Sequence, residues 1–252
     1  MMESLLSQFR QLKLSGMAAA LQSQREQPGT YEGLAFTERL QLLLDHEDQE
    51  RQQRKQDRLL RLAQFKLNAY PKDIDYQHAR GLKQAQMASL LQCDWINKAQ
   101  NVLLTGPCGS GKTYIACALG HQACLKGYST KYYRVSRLTL ALTQAKADGT
   151  YLKLLKSIAS FDLLILDDWG LEPLSADTRH DLMEIMDDRY SHCSTLMVSQ
   201  LPTEQWHQTI GDNTLADAIL DRLMHNAHRI NLLKTDSMRK IMNSLTQVEQ
   251  LE

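Results

Sequence analysis

One octapeptide limits the folds open to this chain more than any other feature. Gly106-Pro107-Cys108-Gly109-Ser110-Gly111-Lys112-Thr113 fits G-x-x-x-x-G-K-[ST], the spacing of a phosphate-binding loop. The apolar run Val102-Leu103-Leu104 before it reads as a buried strand, and Ile115, Ala118, Leu119 and Ala123 after it recur at helical spacing. A glycine turn by itself would be a chance match; strand, glycine loop and helix in succession are the setting in which the motif works. The glycines let the backbone curl until successive N–H groups face an anion. The helix beginning near Lys112 adds its positive end. Lys112 then reaches the β- and γ-phosphates of ATP, and the Thr113 hydroxyl is placed to ligate Mg²⁺.

A second strand, expected over residues 161–168, is apolar until it ends in Asp167-Asp168. Alone, the pair reads as a solvated acidic turn. Behind a phosphate loop it reads as the acidic half of the site, because adjacent carboxylates need cations facing them. Asp167 would hold Mg²⁺ and Asp168 would orient or deprotonate the attacking water. Gln200, after the strand over 194–199, is either a water-holding side chain between the two site strands or an ordinary loop residue. Arg222, next to Asp221, is either half of a local ion pair or an arginine supplied to a neighbouring subunit's γ-phosphate. The spacing of His225 and His228 argues against a metal site.

Further strands are expected over 130–135 and 228–232, with helices between: Ser136 caps one, 175–190 forms another, and Thr214 caps the helix over 215–224. Five strands alternating with helices make an α/β fold with a parallel five-stranded sheet covered on both faces. Ahead of it, helical spacing over 1–27 and about 37–67 predicts an all-helical N-terminal region, and residues 68–73 read as a linker. The expected domains are therefore 1–67 and 68–252. Residues 45–58 are almost wholly polar, which suits a projecting helix that meets a partner. Its basic residues Arg51, Arg54, Lys55, Arg58 and Arg61 are either a solvated face or a nucleic-acid contact.

Formal net charge is zero, so partners must be read from local charge. From Lys126 to Lys156 seven basic residues face one acid, Asp148. DNA phosphate is the natural partner, with Lys146, Lys153 and Lys156 around the Asp148-Gly149 break. The N-terminus has no basic region followed by an apolar core, and no run approaches a membrane span. Five cysteines without C-x-x-C suit a reducing cytoplasm; Cys117 and Cys124, two helical turns apart, are expected as buried thiols.

These residues together resemble a known family. The loop 106–113, Asp167-Asp168, Ser199-Gln200-Leu201-Pro202 with Trp206, Leu220-Asp221-Arg222-Leu223 and Ser237-Met238-Arg239 are similar to the IstB-type transposition helper ATPases of insertion sequences. Those are relatives of the helicase loader DnaC and the initiator DnaA in the AAA+ superfamily. Met17-Ala18-Ala19-Ala20-Leu21, Glu38-Arg39-Leu40 and Cys93-Asp94-Trp95-Ile96 carry the resemblance across nearly the whole chain. It implies an AAA+ P-loop NTPase in which Gln200 is sensor 1, Arg222 the arginine finger and Arg239 sensor 2. It matches residues 136–158 to the helical insertion with which DnaA-like proteins engage DNA. It implies an ATP-dependent homo-oligomer on DNA of largely any sequence, working with a cognate transposase; a DnaC-like replicative helicase loader is the alternative. Two positions depart from the family pattern, Asp168 where many members have Glu and Gln200 where relatives often have Asn.

Overall fold

The computed structural model describes residues 2–233 and Met238. Two compact units divide the chain, Met1–Arg58 and Leu59–Glu252. The division falls inside a helix, whereas the sequence expectation set it at the linker.

The first unit is helical: α1 (Met2–Gln11), α2 (Ser15–Glu26), α3 (Pro28–Tyr31) and most of α4 (Phe36–Ala63). The single helix expected over 1–27 is broken by Lys13, at φ 59°. The polar stretch of α4 is not solvated all round. Glu47 is buried and accepts hydrogen bonds from Gly16 N (2.8 Å) and Met17 N (3.1 Å) at the start of α2. An anion there meets orphan N–H donors and the positive end of the helix. Burial alone would raise the Glu47 carboxyl. The Arg51 bond and the two backbone donors outweigh burial and hold it below its ordinary range. A Cβ on Gly16 would lie 2.7 Å from Glu47 Cα, so only glycine allows this approach.

The second unit opens with the last turn of α4, where Leu59 and Ala63 pack on Cys124. After α5 (Gln84–Leu91) and the short α6 (Asp94–Asn97) come β1 (Asn101–Thr105), α7 (Lys112–Leu125), β2 (Thr130–Arg134), α8 (Val135–Ala147) and α9 (Tyr151–Ala159). Then follow β3 (Leu163–Trp169), α10 (Ala176–Arg189), β4 (Ser194–Ser199), α11 (Trp206–Ile210), α12 (Asn213–Met224) and β5 (Ala227–Asn231). The sheet is parallel, in the order β2-β3-β4-β1-β5. Successive strand residues feed opposite layers, as the pleat requires. Val102, Leu104, Ile165 and Val198 join Ile115 and Leu119 of α7. Leu103, Leu164, Leu166 and Met197 join residues of α8, α9, α10 and α12 on the other face. No helix among the described residues is long and apolar enough to cross a membrane.

Local chemistry moves several expected boundaries. Ser175, expected as the first helical residue, is the N-cap of α10, accepting from Thr178 N at 3.2 Å. Asp212, not Thr214, caps α12, accepting from Leu215 N at 2.9 Å. Ser136 lies inside α8, which starts at Val135 without a side-chain cap. β3 begins at Leu163 because Asp162 is taken by a turn, where its carboxylate receives Ser129 N and Oγ, both at 2.7 Å. α5 stops at Leu91, and Cys93, at φ 65°, separates it from α6. Cys93, Cys117 and Cys124 are buried, and burial pushes each thiol up to about 11.

Candidate nucleotide-binding site

The sheet topology sets the site before any side chain does. β1, β4 and β3 are neighbours, so the loop after β1, Gln200 after β4 and the acidic end of β3 open on one edge. That carboxyl edge is where open α/β sheets hold ligands. A cleft of about 470 Å³ lies there, lined by residues that include Lys112, Thr113, Asp167, Asp168 and Gln200.

The loop is shaped from behind. Gly106, Gly109 and Gly111 stand at φ 147°, 82° and 88°. A Cβ at Gly106 would come within 2.6 Å of Leu232 O, and one at Gly111 would run into the Arg80 guanidinium. Arg80 is buried and donates to Ser110 O (2.9 Å) and Asp75 O (2.7 Å). Ser110 Oγ and Lys112 Nζ donate to Pro107 O, at 2.9 and 2.8 Å, and Met238 N donates to Gly109 O at 3.0 Å. Loop carbonyls are thus satisfied on the protein side. Gly111 is the N-cap of α7 and no side chain caps the first turn, which leaves orphan donors for a phosphate. Burial lowers the Lys112 ammonium below its ordinary range, while Cys108, Asp167 and Asp168 pull the other way.

Asp167 is buried, and its carboxylate gathers three donors. Oδ2 receives Thr113 Oγ1 (2.9 Å) and Tyr132 OH (2.6 Å); Oδ1 receives Asp168 N (2.8 Å). Burial, then the bond to Asp167, pushes the Tyr132 phenol far above its ordinary range, so it stays a donor. The β3–β4 register shifts between Leu166 and Trp169, and Asp168 stands at φ 63°. Such an irregularity re-aims a side chain. Asp168 faces the cleft and pairs with Arg134 Nε at 3.3 Å. A hydroxyl beside a carboxylate is a hard-oxygen donor set that fits Mg²⁺, and the loop with Lys112 fits a triphosphate.

Loop residues 106–113, Asp167, Asp168 and Gln200 are brought to one edge; Arg222, Lys146, Lys153 and Lys156 are not among the residues that line the cleft. Arg222 is held within its own chain, but by Asp187 of α10 and not by Asp221. Its Nε and Nη2 reach Asp187 Oδ1 at 2.8 and 2.6 Å, and Nη1 donates to Ala218 O at 3.0 Å. Its guanidinium lies 6.0 Å from the Tyr190 ring centre. Lys146 is committed to buried Asp181 at 2.7 Å, which also receives Tyr151 OH at 2.7 Å. Lys153 and Lys156 are exposed on α9. Arg239 lies outside the described residues. No metal-holding cluster of His, Cys, Asp or Glu occurs among the described residues, and His228 Nε2 is bonded to Gln100. Arg80, Tyr132 and Arg134 were not singled out from the sequence. Each touches a motif residue that lies some 30 positions away, which no local spacing reveals.

Comparison with known proteins gives concordant matches. The family model described as IstB-like ATP binding protein matches residues 7–246. The insertion sequence ATP-binding protein y4pL of Sinorhizobium fredii is 47% identical over 235 residues, covering 93% of this chain and 95% of that one. Among solved structures, DnaI aligns with TM-score 0.58 at 21% identity, covering 70% of this chain and 93% of that one. The DnaC helicase loader aligns with TM-score 0.52 at 20% identity, covering 63% and 94%. The two solved structures show that this fold is shared with DnaI and with the DnaC helicase loader.

Gly111→Ala tests how far the loop depends on its backbone. The left-handed conformation costs a side chain about 1–2 kcal/mol, and displacement of Arg80 adds to that. Denaturant melts should show a loss of about 2 kcal/mol or more, with weakened binding of a fluorescent ATP analogue.

Proposed function

The chain belongs to the IstB-like ATP-binding family of insertion sequences, and from that premise we propose that it hydrolyses ATP, assembles on DNA and assists or regulates a transposase. The observation that supports hydrolysis most directly is the convergence of Lys112, Thr113, Asp167 and Asp168 on one cleft. The loop amides and Lys112 bind the triphosphate. Thr113 and Asp167 hold Mg²⁺, which neutralises phosphate charge. Asp168 and Gln200 orient the attacking water, and Asp168 takes its proton. The pair with Arg134 gives Asp168 a charge partner before substrate arrives. A helicase-loader role rests on likeness of fold alone.

Arg222 completes the site of a neighbouring subunit. The Asp187 carboxylate that holds it is 61% exposed, and exposed pairs contribute about 0–1 kcal/mol. A γ-phosphate of higher charge in a drier interface outcompetes that carboxylate. Until then Asp187 keeps the guanidinium ordered. DNA contact falls to Lys153 and Lys156 on α9. Lys146 neutralises Asp181, so its reversal would damage the packing of α8 on α10 before it reported on DNA.

Arg222→Ala and Lys112→Ala should each be inactive alone, and mixing them should restore part of the ATP turnover. A mixed assembly can place an intact loop against an intact arginine. Absence of recovery over a range of ratios, with co-assembly verified, would exclude shared sites.

Lys153→Gln with Lys156→Gln should weaken DNA binding on every sequence. It should also flatten log affinity against log salt by roughly 1.8, as expected for two lost contacts to duplex phosphates. Binding isotherms over a salt series measure this, and an unchanged slope would move the contact to another surface.

Affinity capture should retain the transposase of the same insertion sequence in an ATP-dependent manner. Capture of a replicative helicase in its place would favour the loader role.

A further inference from the structure

Tyr132 is a large side chain placed in the apolar layer between α7 and the sheet. It stands on β2 opposite Ile165, two positions short of the register partner of Asp167. That makes Tyr132 and Asp167 a diagonal pair on one face of a parallel ladder, a separation that an aromatic side chain spans. The residue is 7% exposed, and its hydroxyl ends on Asp167 Oδ2 at 2.6 Å. Phenylalanine would fill the same apolar space without a polar atom to satisfy. The other side-chain donor on this carboxylate, among the described residues, is Thr113, itself placed to ligate the cation. Tyr132 is thus the donor that holds the carboxylate from outside the metal's own ligand set.

We propose that Tyr132 is a positioning residue for divalent-cation binding. Its hydroxyl, reaching from the neighbouring strand, fixes the Asp167 carboxylate so that the remaining oxygen lone pairs face the cation. This rests on the reading of the cleft as an ATP and Mg²⁺ site. Partners of this kind orient metal ligands, and their loss commonly weakens metal binding about tenfold or more.

The test is Tyr132→Phe, with Mn²⁺ as the probe. Mn²⁺ binding to the full chain is followed by electron paramagnetic resonance in the presence of a non-hydrolysable ATP analogue. Affinity for the analogue is measured separately in chelator. The expected result is about tenfold weaker Mn²⁺ binding with unchanged metal-free nucleotide affinity and a near-parental melting temperature. In an Asp167→Asn background the same substitution should add nothing, because Tyr132 acts through that carboxylate. Equal Mn²⁺ affinity in Tyr132→Phe and parent overturns the proposal, as does an undiminished effect in the Asp167→Asn background. Failure of Tyr132→Phe to fold also overturns it, since the hydroxyl would then serve the core. Failure of the underlying reading looks different: the parent would show no nucleotide-dependent Mn²⁺ binding, and the proposal would fall with it.

Discussion

The arrangement of this protein depends on one carboxylate kept away from water. Asp167 is 1% exposed at the end of a central strand, where an unpaired charge costs several kcal/mol. The surroundings answer that need with donors from three directions: the helix after the phosphate loop, the edge strand and its own backbone. The same donors hold the carboxylate in one orientation, so the interactions that make its burial tolerable also aim it at the cleft. Lys112, which lines the same cleft, is itself buried, and that burial holds its ammonium below the ordinary range. A polyanion and a divalent cation entering together bring complementary charge to both groups.

The phosphate loop was legible because its chemistry is local. Glycine spacing, the preceding apolar run and the helical repeat after it lie within one short stretch. The parallel sheet followed from the alternation of elements, and its two-sided burial explains why strands such as Leu163-Leu164-Ile165-Leu166 show no alternation. Asp167 and Asp168 became interpretable once the loop was recognised. Their different surroundings did not, because the irregularity that turns Asp168 toward Arg134 arises in the pairing of β3 with β4.

What escaped sequence reading shares a cause. Arg80 shapes Gly111, Tyr132 holds Asp167, Asp187 holds Arg222 and Asp181 engages Lys146. All are pairs between separate elements, and no period or motif marks them. Glu47 is the plainest case. Within a stretch of polar residues it looks like its neighbours, yet it is the anion that receives the start of α2. Arg189 is another: its guanidinium is buried and donates to the carbonyls of Ile158, Phe161 and Ser194, tying the end of α9 to the sheet. Charge in sequence predicts exposure on average; burial of a charge becomes visible only with its partner.

The distribution of cysteines sorts them by reactivity. Cys93, Cys117 and Cys124 are enclosed and hold their protons far above neutral pH, so electrophiles neither reach them nor find a thiolate. Cys193 is partly covered, with its sulfur on Ala159 O. Cys108 is open to solvent at the rim of the cleft. A soft alkylating dye therefore finds its most accessible anchorage within the phosphate loop itself, where a bound nucleotide would shield it. The native chain already carries a spectroscopic handle at the position most sensitive to occupancy, with no engineered cysteine needed.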